Sequence, residues 1–196
     1  ASTTRRVPAP DRYRVDAPDL GAWLAAEIQK QIDDLAAHGI RFAAFLADSI
    51  FSSDGVLPGP AGYLKQAVDV VHRNGGLFIA DEVQPGFART GEAFWGFARH
   101  GVVPDVVTTG KPMGNGIPVS GLFARSDVLA AFSDSLPYFN TFGGNPVSIA
   151  AAQAVLRVIH EEKLQAHSLH VGRLLQAELA RLATRHSGVG LSLIHI

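Results

Sequence analysis

Two charged residues stand at the ends of apolar runs, where a buried strand would present them to a ligand. Asp81 closes Leu77-Phe78-Ile79-Ala80, and Lys111 follows Asp105-Val106-Val107-Thr108 after a short turn. In an open α/β sheet, ligands gather beyond the carboxyl ends of the strands. A charge at such a place needs solvent or a partner. Taken alone, the pair reads first as two side chains reaching water at the sheet edge. The flanks shift the balance. Gly110-Lys111-Pro112-Met113-Gly114-Asn115-Gly116 bends tightly around the amine, and its glycines let the chain pass close to a ligand. The segment is not a P-loop, because Pro112 stands where Ser or Thr is needed and Asp105 where the first Gly is needed. Nor is it a dinucleotide fingerprint, since Gly114-Asn115-Gly116 lacks the third Gly. No Gly-x-Ser-x-Gly elbow of a serine hydrolase occurs.

A strand-end carboxylate with a ligand-facing lysine suits pyridoxal 5'-phosphate chemistry. That chemistry needs an amine for a Schiff base and an acid beside the pyridine nitrogen. A charge-assisted hydrogen bond from the ring nitrogen to the acid keeps the ring protonated, so that it accepts the electrons left when a Cα bond breaks. The lysine, once freed, carries the proton.

The elements that must hold these residues follow from periodicity. Leu20, Trp23, Leu24, Ile28, Ile32 and Leu35 recur at three and four, which predicts a helix over 19–37 stopped by Gly39. Short apolar runs at 42–46 and 77–80 predict buried strands, with a helix at 63–72 between them. Residues 105–108 and 119–124 read as two more strands. Asn145-Pro146 is a helix start, with Asn as N-cap and Pro in the first turn. Ile149, Ala152, Val155, Leu156 and Ile159 form the apolar stripe of that helix. A last helix follows over 164–184, with Leu174, Leu175, Leu179 and Leu182 expected inward. The fold class is therefore α/β: a mostly parallel sheet flanked by helices, buried on both faces, ending in a long helical segment.

Composition narrows the function classes. The 196 residues carry 17 Lys plus Arg against 18 Asp plus Glu, a net charge of −1. Nucleic-acid and anionic-membrane surfaces show a cationic excess, so neither is expected as a partner. No run reaches the ~18 apolar residues of a spanning helix, and the start has no secretory pattern. Cysteine is absent, which excludes disulfides, thiolate zinc sites and a Cys nucleophile, and fits a cytoplasmic location. Residues 1–18 hold three Pro and four Arg without periodicity and read as an extended, solvated lead-in. Leu191-Ser192-Leu193-Ile194-His195-Ile196 is abrupt and apolar, and it matches the translation of a transposase adaptor used in sequencing libraries. It is expected to be non-native.

Three blocks in order carry a family resemblance. Asp81-Glu82-Val83-Gln84-Pro85-Gly86-Phe87-Ala88-Arg89-Thr90-Gly91 resembles the hallmark stretch of the class III aminotransferases, of fold type I. Pro104-Asp105-Val106-Val107-Thr108-Thr109-Gly110-Lys111 resembles their lysine segment, and Thr141-Phe142-Gly143-Gly144-Asn145-Pro146 a third block. The resemblance covers about 7–190, most similar to the alanine–glyoxylate aminotransferase 2-like subgroup, which includes phospho-lyases acting on phosphoethanolamine or phosphohydroxylysine. It implies a partial cofactor-binding large domain over 19–190. It also implies transfer of an amino group between an amine or amino acid and an oxo acid. By the same resemblance Lys111 is the Schiff-base lysine and Asp81 the partner of the pyridine nitrogen. Val83 packs on the ring, Gln84 bonds the ring hydroxyl oxygen, and Thr141 reaches the phosphate of a neighbouring subunit in a homodimer with shared sites. Strand alternation agrees that positions 81 and 83 share a face, which leaves Glu82 on the other as a structural partner. Asp48 stands where the resemblance leads one to expect Glu, a methylene shorter. A phospho-lyase and a truncated, non-catalytic fragment are the competing readings.

Other side chains read as structural. His160, His167 and His170 lie on roughly one side of the helical tail with no strongly placed acid, and a solvated face accounts for them better than a metal. Trp23 falls on its helix's apolar stripe and is expected in the core; Trp95 is balanced between packing and a subunit contact. Arg89 and Arg99 are expected in surface ion pairs.

Overall fold

In the computed structural model, residues 3–186 and 189 are described. The elements run α1 (Leu20–Ala37), β1 (Ala44–Asp48), α2 (Leu64–Arg73), β2 (Leu77–Asp81), β3 (Val106–Thr109), β4 (Gly121–Ala124), α3 (Ser126–Ser133), α4 (Pro146–Glu161) and α5 (Leu164–Ala183). The sheet order is β1-β2-β3-β4. The first three strands are parallel, and β4 returns antiparallel to β3. A mostly parallel sheet with a helical end is the α/β class expected.

The core lies between one face of the sheet and the pair α1–α2. Alternation sends Phe45 and Ala47 of β1, and Phe78 and Ala80 of β2, into that layer. There they meet Leu24, Ile28 and Ile32 of α1 and Leu64, Ala67, Val68 and Val71 of α2. Burying each such aliphatic chain contributes roughly 1.5–3 kcal/mol before entropy is counted. Asp19 starts α1 by accepting from the amide of Ala22 at 3.0 Å, and Asn145 starts α4 by accepting from that of Ser148 at 3.0 Å.

Several expectations are corrected. The sheet is not buried on both faces: Leu46, Leu122 and Phe123 remain exposed on it. The stripe of α4 is only partly covered, with Ala152 buried but Ile149 and Leu156 exposed. In α5, Leu174 points outward at 58 % exposure, while Leu175, Leu179 and Leu182 are half-buried. The first strand begins two residues later than its apolar run, because Phe42 folds over the backbone of Gly76 instead of pairing. Helix α3 was not anticipated; it is a short helix, none of its residues is buried, and Leu129 and Phe132 on it are exposed. The start of the chain is not simply solvated. Val7 and Val15 pack on the core, Pro10 is fully buried, Arg5 pairs with Asp34, and Arg14 with Asp11. Residues 191–196, expected to be non-native, lie outside the described residues. No helix among the described residues is long and apolar enough to cross a membrane.

Candidate functional site

Asp81 is the last residue of β2, on the sheet face opposite the α1–α2 layer. Its register partners are Asp48 on β1 and Thr108 on β3, so the carboxyl ends of three parallel strands meet there. Its Oδ1 accepts from the amide of Val83 at 3.0 Å, which turns the chain after the strand. Its Oδ2 makes no hydrogen bond among the described residues. Val83 and Gln84 follow, both half-buried. The side chain of Gln84 makes no hydrogen bond among the described residues.

Lys111 follows the neighbouring strand β3 two residues after its end, with Gly110 between. Thr109 ties that end to β4 by donating to the carbonyl of Gly121 at 3.1 Å. The chain then turns through a 3₁₀ segment at Lys111–Gly114, closed by the amide of Met113 on the carbonyl of Gly110 at 2.9 Å. Lys111 itself has φ of +31°, a left-handed backbone that a side chain rarely adopts. Its side chain is exposed, and among the described residues its amine has no hydrogen bond or ion pair. A Cβ built on Gly110 would lie 3.8 Å from Val83 Cγ2, so the lysine turn and the Val83 turn are neighbours. The structure thus brings together Asp81, Val83, Gln84 and the Lys111 loop. Thr141 is not joined to them. It is exposed in the segment before α4, with no hydrogen bond to that group among the described residues.

The residues on the site's flank are buried. Glu82 is fully buried on the core side, as alternation requires. It accepts from the amide of Gly96 at 2.7 Å, the amide of Phe97 at 2.9 Å and the hydroxyl of Ser49 at 3.0 Å. Burial pushes its carboxyl up to about 7, against the pull of those donors, and the charge of Asp48 adds to the rise. Asp48 does not reach outward. Its carboxylate accepts from the amides of Ile50 and Ser52, each at 2.9 Å, and from the Ser52 hydroxyl, so it organises the turn after β1.

Sequence reasoning missed Asp105. This buried carboxylate locks β3 to β2 by accepting from the amide of Phe78 at 2.7 Å, and it also binds His72 at 2.8 Å and Arg125 at 2.5 Å. Burial raises its pKa, but the Phe78 amide and the His72 and Arg125 side chains outweigh that and hold it below the usual range. Its position one residue before an apolar strand was the available signal. Arg99 is not on the surface either. Its side chain is 8 % exposed, pairs with Glu92 at 2.6 Å and donates to the carbonyl of Pro58 at 2.5 Å. Trp23 is partly buried against the core. Trp95 packs among Phe87, Phe94, Phe97 and Phe123.

The donor set fits pyridoxal 5'-phosphate at its two reactive ends. A carboxylate with a free oxygen suits a ring N–H, an unpaired amine suits an aldehyde, and the aliphatic Val83 adjoins the Lys111 turn. An open groove of about 940 Å³ along the unpaired side of β1 reaches Asp48 and Asp81.

Comparison with known proteins follows the same lines. The family model described as aminotransferase class-III matches residues 2–191. An alanine–glyoxylate aminotransferase 2-like protein of Drosophila melanogaster is 44 % identical over 92 % of this chain and 36 % of its own length. An ethanolamine-phosphate phospho-lyase homolog of Caenorhabditis elegans is 37 % identical over 87 % of this chain and 37 % of its own. Among solved structures, a phospholyase from Arthrobacter in complex with phosphoethanolamine superposes with a TM-score of 0.83 at 40 % identity, over 92 % of this chain and 43 % of that one. An (S)-enantioselective omega-transaminase from Thermomicrobium roseum gives 0.80 at 30 % identity, over 90 % and 40 %. The chain therefore spans little more than a third of the length of these curated relatives. A strand-end acid, a turn-borne lysine beside it and a family model matched from residue 2 to residue 191 agree: this chain belongs to the class III aminotransferase family.

Proposed function

We propose that the protein carrying this chain is a pyridoxal 5'-phosphate-dependent transaminase, moving an amino group between an amine or amino acid and an oxo acid. The observation that supports this best is the adjacency of Asp81 and the Lys111 turn on neighbouring parallel strands. When bound, the cofactor supplies an electron-accepting ring and an aldehyde. Lys111 anchors the aldehyde carbon and later holds and returns a proton at its Nζ. Asp81 holds the proton at the ring nitrogen through its free oxygen. Val83 supports the ring face and excludes water, and Gln84 orients the ring hydroxyl. Thr141 is proposed to reach the phosphate across a homodimer interface, consistent with its exposed segment. Residues 19–190 are proposed as part of a large cofactor-binding domain, 191–196 as a non-native tail, and the compartment as the cytoplasm.

The test uses the complete open reading frame. Borohydride reduction after loading is expected to leave a pyridoxyl group on the peptide that contains Lys111. Lys111→Ala is expected to lose that label and roughly 10²–10⁴-fold in rate. A label on another lysine refutes the assignment. Loss of phosphate on the same scaffold is the second reading, favoured by the 0.83 superposition on the Arthrobacter phospholyase. Inorganic phosphate released from phosphoethanolamine, with no amino group passed to an oxo acid, selects it.

A further inference from the structure

We propose that Glu82 is a positioning residue. Its buried carboxylate clamps the turns at 49 and 95–97 to the end of β2 and so sets the direction in which Asp81, Val83 and Gln84 face the ligand. The inference rests on the reading of the Asp81–Lys111 face given above.

All three groups that meet the Glu82 carboxylate are donors: two amides, from Gly96 and Phe97, and the Ser49 hydroxyl. A carboxylate, which only accepts, matches that set; an amide or a neutral acid turns a hydrogen of its own toward a donor. The backbone of the same residue is held as well. Its amide donates to the carbonyl of Thr108 on β3 at 2.9 Å, and its carbonyl accepts from the amide of Gly86 at 3.1 Å. Residue 82 is thus fixed through amide, carbonyl and side chain. Asp81, which alternates to the other face of β2, and the turn at Val83 that its carboxylate closes inherit that orientation.

The surroundings leave no slack. A Cβ at Gly96 would come within 2.5 Å of both Pro85 Cβ and Ser49 Oγ, and one at Gly86 within 2.6 Å of the Glu82 carbonyl. Trp95 closes the far side, stacked on Phe97 at 6.3 Å and edge-on to Phe94 at 4.8 Å. Water is excluded, which strengthens each hydrogen bond to the carboxylate but also makes its charge costly, so that burial outweighs the donors and raises its pKa to about 7. The charged and titratable groups around the clamp are few. Asp48 precedes Ser49, and Asp81 adjoins Glu82 on its own strand. His100 meets the carbonyl of Ser49 at 3.0 Å, and Glu92 and Arg99 pair with each other on the far loop. None of them donates to Glu82, so the charge depends on the three donors named.

The experiment compares wild type and Glu82→Gln in the complete protein, with the Trp95 signal taken as the difference from a matched Trp95→Phe protein. Near-ultraviolet ellipticity of the cofactor-free protein is read from about pH 5 to 9, a range that brackets ordinary and raised carboxyl values. Pyridoxal 5'-phosphate affinity is read by visible absorbance. The expected result is a Trp95 titration in wild type, centred where burial places the carboxyl, at about 7. Glu82→Gln is expected to lack it and to bind cofactor about tenfold more weakly, as for a lost hydrogen bond to a charge. Borohydride should still label Lys111 in the variant at saturation. A variant that melts earlier but keeps cofactor affinity within about twofold overturns the proposal, because Glu82 would then serve stability alone. So does a variant that keeps the Trp95 titration. If wild type takes no label on Lys111, the reading of the site fails, and the Trp95 titration decides the clamp by itself. Should Glu82→Gln not fold, Ser49→Ala removes one donor to the charged form. It is expected to move the Trp95 midpoint to higher pH, and an unmoved midpoint overturns the clamp.

Discussion

Asp81 offers a ligand one free oxygen, because the other is engaged by the Val83 amide. Replacing it by Asn keeps a hydrogen-bonding group there but removes the charge that holds a ring proton. Asp81→Asn is therefore expected to weaken cofactor binding about tenfold or more, with little change in melting temperature, since this carboxylate supports no core contact. An absorbance titration beside a thermal melt checks both halves. Gly96 makes a sharper case, because its missing side chain is required by packing alone: its φ is not in the left-handed region, yet an added Cβ would meet Pro85 and Ser49 at 2.5 Å. Gly96→Ala is expected to destabilise by about 1–3 kcal/mol through overpacking. Gly39→Ala meets nothing within 4 Å, and its penalty of about 1–2 kcal/mol comes only from φ of +71°. Urea unfolding of the two variants distinguishes the causes: Gly96→Ala also perturbs Trp95 ellipticity, whereas Gly39→Ala leaves it unchanged.

At the scale of elements, Asn145 joins two levels of structure. Its Oδ1 caps α4 at Ser148, its Nδ2 donates to the carbonyl of Phe142 at 3.0 Å, and Ser148 in turn donates to the carbonyl of Pro118 at 3.2 Å. Asn145→Ala is expected to cost about 1 kcal/mol, lowering the melting temperature by about 2–4 °C. Asn145→Asp, which keeps the capping oxygen, is expected to recover most of that in a calorimetric scan. This cap was legible in the sequence because Asn before Pro is a local signal. The strand that ends at Asp81 and the one that leads to the Lys111 turn were legible for a similar reason: each is a short apolar run with a charge at or just beyond its end. What stayed hidden depends on distance along the chain. Glu82 meets Gly96 and Phe97, fourteen and fifteen residues on, and no pattern of types announces that encounter. The start of β1 was misplaced because Phe42, apolar like a strand residue, is used to cover Gly76. The stripes of α4 and α5 were read as inward because periodicity reports an apolar face without naming what covers it; here Ile149, Leu156 and Leu174 are exposed.

Over the whole molecule, two buried groups oppose each other in acid. Glu82 has a folded pKa of about 7, raised by burial above the usual carboxyl range. The folded state then binds its proton more tightly than the unfolded chain does. Its contribution to stability is fully present below the unfolded value and is lost as pH rises toward about 7. His100 runs the other way. It is 2 % exposed beside Tyr63, with Nε2 on the Ser49 carbonyl. Burial, the larger effect, and the nearby Arg99 push it down to about 4. Its contribution is present above the unfolded histidine value and is lost as pH falls toward about 4. Between the unfolded carboxyl and histidine values, at about 4.5 to 6.5, the two slopes have opposite sign and similar size, each on the order of 3 kcal/mol across its full range. Wild type is expected to show a nearly flat stability profile in that window. Glu82→Gln removes one slope and exposes the other, so its unfolding free energy should fall steadily on acidification while wild type's does not. Urea titrations at half-unit steps of pH read this directly. Parallel profiles for the two proteins would show that one of the carboxyl and the imidazole does not titrate as its burial requires.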